Sequence, residues 1–194
     1  DEELKREAPL DRLLPIRYEP KGAQESKRRV CILLLIDRSN SMVGPRIAAT
    51  KRAAVELVKQ LQPEDLVGVL TFDTQPYVVL EVQPAAQAKS TVVDRLVKLK
   101  AAGGTDIYPA LHAAQARLLA SGATVKHVVL LSDGNTNVNV KAYRELLEEF
   151  SQQQITLSTM GIGGVMVNVE LLQWMAEATG GAFYHLKDMN ELPQ

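Results

Sequence analysis

The sequence predicts an α/β protein whose sheet is mostly parallel and doubly wound, with helices on both faces. The unbroken apolar run 30–36 is typical of a parallel strand that is buried on both faces. Similar runs alternate along the chain with amphipathic helical patterns, for example Tyr143, Leu146, Leu147 and Phe150. The length of 194 residues suits one domain with a sizeable core.

Six strands are predicted from apolar or alternating runs that are bounded by turn residues. Only the segment 73–76 separates the second strand from the third, which is short enough for an antiparallel pair. Gly180 and Gly181 form a turn that leads into the last strand. The predicted strands are residues 30–36, 66–72, 77–82, 127–131, 155–162 and 182–186.

The helices are predicted from apolar residues that recur at helical spacing. Pro45 occupies a favourable first position of the helix after strand one, and Pro63 ends that helix. The pattern that contains Tyr143 and Phe150 marks a helix between strands four and five. The remaining predicted helices are residues 89–99, 106–120 and 169–178.

Composition and charge exclude several classes of protein. The formal net charge of −1 argues against a dedicated nucleic-acid binder, because phosphate contacts need an excess of Lys and Arg. No apolar run approaches the roughly 18 residues that a membrane span needs, so this fragment is not expected to insert into a membrane. The chain begins at Asp1 without a methionine, and we expect it to be an excised piece of something longer.

The chain is expected to divide into a leader and one domain. Residues 1–27 are polar apart from a small apolar patch, residues 10–16, that we expect to dock on the domain. Residues 28–194 contain every predicted strand and helix. The lone cysteine, Cys31, lies inside strand one and is interpreted as a small buried apolar residue.

Oxygen-bearing side chains follow two of the predicted strands. Asp37, Ser39 and Ser41 come directly after strand one, each two residues from the next. Asp133 follows strand four within Ser-Asp-Gly, and Thr105 stands on a glycine turn. Hydroxyl and carboxylate oxygens are hard ligands that suit Mg²⁺, Mn²⁺ or Ca²⁺ and suit zinc poorly. The sequence therefore points to a site for a hard divalent cation.

The pattern D-x-S-x-S, then T-D, then S-D-G resembles the metal-ion-dependent adhesion site of von Willebrand factor type A (VWA) domains. The resemblance covers nearly the whole chain after Arg28, and it is greatest to VWA domains of bacterial membrane-tethered proteins. It implies the strand order 3-2-1-4-5-6, with strand three as an antiparallel edge. That order makes strands one and four neighbours, so Asp37 and Asp133 meet at the topological switch point, where open α/β sheets bind ligands.

The resemblance also implies how the site works. The hydroxyls of Ser39, Ser41 and Thr105 would bind the ion directly, and Asp37 and Asp133 would bind it directly or through water. Mg²⁺ is the expected ion, with Mn²⁺ or Ca²⁺ as the other candidates. An open coordination position would accept an acidic oxygen from a partner protein, either an Asp or Glu side chain or a C-terminal carboxylate.

Residues around the ligands have more than one interpretation. Asp106 begins a helix, so it is interpreted either as the helix cap or as a hydrogen-bonding support of the ligand loops. Asp73 ends strand two, and we expect it near the same edge as a support of the same kind. The loops that should form the rim toward a partner contribute four further residues: Arg38, Asn40, Tyr108 and Asn135.

The sequence favours recognition over catalysis. It lacks G-x-G-x-x-G after strand one, a phosphate loop and G-x-S-x-G, and its three histidines are scattered without ligand spacing. The chain is therefore predicted to be a metal-dependent protein-binding module and not an enzyme. One alternative is a structural or regulatory module of a membrane-associated complex whose metal is structural only, and a less favoured one is a metal-dependent hydrolase. The parent protein is expected to hold this domain outside the membrane.

Overall fold

The computed structural model describes residues 29–187. The predicted leader, residues 1–27, lies outside this range, so the domain boundary and the docking of the leader stay predictions. The strands are β1 (Val30–Asp37), β2 (Leu66–Phe72), β3 (Pro76–Pro84), β4 (Val125–Ser132), β5 (Ile155–Ile162) and β6 (Phe183–Leu186). The helices are α1 (Pro45–Gln60), α2 (Ala85–Val97), α3 (Ile107–Ala120), α4 (Val140–Gln152) and α5 (Val169–Ala178), with a short 3-10 helix at Asn40–Met42.

The six strands form one sheet in the order β3-β2-β1-β4-β5-β6, which confirms the predicted fold. Every neighbouring pair is parallel except β2 and β3, which are antiparallel as the short connection 73–76 requires. β1 lies in the middle, and its register pairs Ile36 with Thr71 of β2 and with Leu131 of β4. The ends of β1 and β4 therefore lie side by side.

Helices cover both faces of the sheet, which explains why β1 is apolar from Val30 to Ile36. Ile32, Leu34 and Ile36 pack in the core under α1 and α2. Leu33 and Leu35, which point the other way, pack in the core under α3, α4 and α5. Both sets are fully buried, so a polar residue at any of these positions would lose its water without gaining a partner.

The site sits at the switch point of the sheet. α1, which follows β1, covers one face, whereas α4, which follows β4, covers the other. The two connections therefore part at the carboxyl ends of β1 and β4 and leave a crevice between them. Asp37 and Asp133 stand at the mouth of this crevice, as the topology predicted.

Helix and strand boundaries differ from the sequence prediction in a few places. α2 begins at Ala85, four residues before the predicted start, because Ala85 and Ala88 are buried and Ala85 N donates to Asp65 O at 2.7 Å. β4 begins at Val125, which pairs with Val30, two residues before the predicted start, because the charged Lys126 interrupts the apolar run. Across residues 29–187, no helix has the length and apolar character that a membrane crossing requires.

Candidate metal centre

The Asp37 carboxylate joins the ends of β1 and β4. It is fully buried, and Ser39 N donates to its Oδ1 at 2.8 Å while Ser132 Oγ donates to its Oδ2 at 2.6 Å. Burial raises the pKa of Asp37, the hydrogen bonds from Ser132 and Ser39 lower it, and the charge of Asp133 raises it, with a net increase. A carboxylate in this position would be stabilised in its ionised form by a cation.

Ser39 and Ser41 present their hydroxyls side by side. Their Oγ atoms lie 3.0 Å apart, which is close enough for both to bind one ion. The 3-10 turn produces this arrangement, because Met42 N donates to Ser39 O at 3.0 Å and curls the loop back on itself. The Met42 side chain is fully buried and anchors the turn in the core, while Ser41 faces outward.

Asp133 stands directly after β4 and is also fully buried. Asn135 N donates to its Oδ1 at 3.1 Å, and Arg46 Nη1 lies 3.3 Å from its Oδ2. The next residue, Gly134, has φ +75°, and a Cβ there would lie 3.1 Å from Asn168 O. The turn after Asp133 therefore requires glycine for its backbone conformation and for space.

The loop that carries Thr105 is held between the other two loops. Asn40 N donates to Gly103 O at 3.0 Å and joins it to the loop after β1. Thr136 Oγ1 donates to Thr105 O at 3.2 Å and joins it to the loop after β4. The three segments that the sequence predicted as a ligand set are thus joined by a backbone hydrogen bond and a hydrogen bond from a side chain.

Asp106 caps α3. Its Oδ1 accepts from Tyr108 N at 3.1 Å, which satisfies one of the free amides at the start of the helix. Asp106 N also donates to Asp73 O at 2.7 Å. The helix-cap interpretation of Asp106 agrees with this geometry, and its support of the ligands stays a prediction.

Asp73 acts on the loop after β1 through Arg38. Arg38 Nε and Nη2 both donate to Asp73 Oδ2, at 3.0 and 2.8 Å. The Arg38 guanidinium carbon also lies 4.8 Å from the centre of the Tyr77 ring. Although burial alone would raise the pKa of Asp73, hydrogen bonds from Arg38 and from the backbone of Gln75 and Thr74 lower it overall. Asp73 therefore holds Arg38 and lies beside the ligand loops.

The chemistry of this donor set fits a hard divalent cation. Asp37 and Asp133 supply two buried carboxylates, and the hydroxyls of Ser39 and Ser41 stand beside each other on the adjoining turn. Within residues 29–187 no three His, Cys, Asp or Glu side chains converge as a metal site. A hydroxyl-rich oxygen set suits Mg²⁺ or Mn²⁺.

Comparison with known families agrees with the fold. Residues 32–194 match the model of the von Willebrand factor type A domain. The chain belongs to this family. A relative, the UPF0353 protein of Mycolicibacterium paratuberculosis, is 32% identical over 196 residues, which cover 86% of this chain and 58% of that protein. The chain spans about half the length of the first curated relatives that it matches, 46% and 58%.

Solved structures show the same VWA fold. A von Willebrand factor type A protein from Catenulispora acidiphila superposes with a TM-score of 0.77 at 21% identity, over 84% of this chain and 40% of that one. An aerotolerance-related membrane protein from Bacteroides fragilis superposes with a TM-score of 0.69 at 19% identity, over 83% and 93% of the two chains. VWA domains generally act in protein–protein interaction and adhesion, often with a metal, and are generally not enzymes.

The four residues that the sequence predicted for the rim toward a partner lie on or next to the three ligand loops, and their role in binding a partner stays a prediction. Arg38 is half-buried against Asp73, and Asn40 is exposed on the loop after β1. Tyr108 lies at the start of α3, with its hydroxyl 3.3 Å from His112 Nε2. Asn135 Nδ2 donates to Met166 O at 2.9 Å and ties the loop after β4 to the loop after β5.

Sequence reasoning missed several residues of the VWA site. Arg46 contacts Asp133, and Ser132 donates to Asp37, although neither was assigned a role. The loop after β5 was also missed, and its Val165 is fully exposed. Exposed apolar residues lie at the start of α4 and on the loops that follow β1, β4 and β5: Val140, Val43, Val138, Val165 and Met166. Valines in loops otherwise rich in Asn and Gly were the available signal, because apolar side chains exposed together mark interaction surfaces.

Proposed function

We propose that this VWA domain binds a divalent cation, Mg²⁺ or Mn²⁺, and uses it to recognise an acidic group on a partner protein, with Ca²⁺ as a further candidate. One observation carries the proposal. The buried Asp37 carboxylate, joined to Ser39 and Ser132, stands beside two hydroxyls only 3.0 Å apart at the switch point of the sheet. The set is completed by Thr105 and Asp133 on the adjoining loops.

The balance of charge supports recognition of an anion. Asp37 and Asp133 together balance a divalent ion without exceeding its charge, and the hydroxyl ligands are neutral. A cation bound there would supply an electrophilic centre for one oxygen from outside. The residues of this chain would hold that centre in place, because all three loops are fixed to one another by hydrogen bonds.

The surface around the site suits a protein partner. Val165 and Met166 are exposed beside the site, and the Met166 carbonyl is held by the Asn135 side chain. Exposed apolar side chains next to polar groups are a common feature of protein-binding surfaces. The partner would therefore present an Asp or Glu, or a C-terminal carboxylate, next to apolar side chains.

The arrangement of the other carboxyl groups favours binding without catalysis. A hydrolase would need a base or nucleophile beside the ion. Asp73 is engaged by Arg38, and Asp106 caps α3, so both candidates have structural partners. We therefore propose that the domain has no catalytic residue of its own.

We further propose that the domain lies outside the membrane in a bacterial membrane-tethered protein. Similarity to a mycobacterial protein and the shared fold with a membrane protein of Bacteroides fragilis support this proposal. Expression of the full-length gene with a tag after residue 194, followed by fractionation and protease accessibility, tests it. A parent protein recovered only in the soluble fraction would contradict it.

Calorimetric titration with Mn²⁺ tests the proposed function. The wild-type domain should bind one ion, and the double variant Ser39→Ala, Ser41→Ala should lose this binding while keeping its circular dichroism spectrum. Ser90→Ala is the matched control, because Ser90 is exposed on α2 and donates within its own helix turn to Gln87 O. Equal binding by the double variant and the wild type would refute the proposed site.

A further inference from the structure

Arg46 lies beside two of the proposed ligand residues, although the VWA sequence pattern did not draw attention to it. It is the second residue of α1, directly after Pro45. Its Nη1 atom donates to Ser41 O at 3.0 Å and lies 3.3 Å from Asp133 Oδ2. The guanidinium thus spans from the loop after β1 to the loop after β4, at the outer side of the buried Asp133 carboxylate.

The fold leaves space for this guanidinium. Gly163, on the loop after β5, has φ +131°, and a Cβ there would lie 3.0 Å from Arg46 Nε and 3.2 Å from its Cζ. The Gly163 carbonyl lies 2.7 Å from His185 Nε2, which fixes the loop from β6. A third loop therefore packs directly against Arg46 and keeps it over Asp133.

The other arginine of the site has a different role. The Arg38 guanidinium is paired with Asp73 and lies over the Tyr77 ring, so its charge is engaged by Asp73. The side chain of Arg46 is 26% exposed while its Asp133 partner is fully buried. Arg46 can thus neutralise part of the charge on Asp133 and still be reached by a group that approaches from solvent.

We propose that Arg46 weakens the affinity of the site for the metal and strengthens its affinity for a partner's carboxylate. The inference rests on the proposed function. The charges of Asp37, Asp133 and Arg46 sum to −1. A bound divalent ion would therefore give the site a net charge of +1, whereas the site would be neutral without Arg46. The positive charge of Arg46 repels the incoming metal ion and so weakens its binding. Once the ion is bound, the net positive charge of the site attracts an anionic oxygen.

The first test measures Mn²⁺ affinity by calorimetry in three variants. Arg46→Gln should bind Mn²⁺ about three- to tenfold more tightly than wild type, as expected for removal of a partly exposed charge near the ion. Arg46→Lys, which keeps the charge, should stay close to wild type. Arg52→Gln is the control, since Arg52 is exposed on the same helix about 9 Å farther along its axis and its loss changes the net charge equally.

The second test measures the approach of a carboxylate to the bound ion. Trifluoroacetate is added to Mn²⁺ with excess protein, and the paramagnetic ¹⁹F relaxation reports its approach to the bound ion. Arg46→Gln should reduce this relaxation at least threefold, whereas Arg52→Gln should not. No Mn²⁺ binding by the wild type would overturn the proposed function itself. Mn²⁺ binding that is unchanged or weaker in Arg46→Gln, or unchanged ¹⁹F relaxation, would overturn the role of Arg46 and leave the proposed function standing.

Discussion

The Ser132 hydroxyl donates a 2.6 Å hydrogen bond to the buried carboxylate of Asp37, which lies 95 residues earlier in the chain. The same hydroxyl oxygen accepts from Gly134 N at 2.9 Å, so it also shapes the turn after β4. One side chain therefore connects the two strand ends that flank the switch point. The geometry of the proposed metal centre depends on this connection as well as on the ligands themselves.

Ser132→Ala should lower the free energy of unfolding by about 1–3 kcal/mol, because it removes a hydrogen bond from a buried carboxylate. The variant should also bind Mn²⁺ more weakly, since Asp37 loses the contact that orients it. Urea denaturation and calorimetry measure the two effects. A variant that matches the wild type in both would show that Ser132 does not position Asp37.

Asp37→Asn should separate the effects of metal and of charge. The fold raises the pKa of Asp37, so ionisation of this carboxyl above that pKa lowers the free energy of unfolding when metal is chelated. The uncharged Asn removes this destabilisation. With EDTA the variant should therefore be at least as stable as the wild type in thermal unfolding. With Mg²⁺ the order should reverse, because an ion at about 100 times its Kd stabilises only the wild type, by about 2.7 kcal/mol. Equal stabilisation of both proteins by Mg²⁺ would contradict the assignment of Asp37 as a ligand.

Much of this site follows from the sequence, and the limits have physical reasons. The apolar run before Asp37 indicates a buried central strand, and the residues after it carry the ligand pattern whatever the details of packing. The contact from Ser132 to Asp37 depends on the register between β1 and β4, which pairs Ile36 with Leu131 and which no local pattern specifies. Arg46 was missed because its direction depends on Gly163, a residue on a distant loop.

Asp73→Asn should lower the free energy of unfolding by about 1–2 kcal/mol at pH 7, because the charged hydrogen bonds from Arg38 are lost. The folded-state pKa of Asp73 lies below its ordinary value of 3.8, so its contribution is present above that pH and is lost as the pH falls through the folded-state pKa. The stability difference between wild type and variant should therefore shrink below about pH 4. Denaturation at a series of pH values measures it, and a difference that stays constant down to pH 2 would rule out this ion pair as the cause.

Gly134→Ala should lower the free energy of unfolding by about 1–3 kcal/mol, because φ at this position is +75° and the new Cβ would crowd Leu172 and Asn168. It should also weaken Mn²⁺ binding by displacing the adjacent Asp133. Gly164→Ala provides the control, since a Cβ there meets nothing within 4 Å. Equal stability of the two variants in urea denaturation would mean that the turn after Asp133 tolerates a side chain.

The central claim is that one divalent cation sits among these oxygens, and anomalous diffraction from crystals grown in Mn²⁺ tests it most directly. We expect a single strong anomalous peak at the switch point, within about 2.5 Å of the Ser39 and Ser41 hydroxyl oxygens and enclosed by Thr105, Asp37 and Asp133. The coordination position facing solvent should hold water or an anionic oxygen. A crystal with about 10 mM Mn²⁺ that shows no peak there, or shows its peak at another surface, would refute the proposed metal centre.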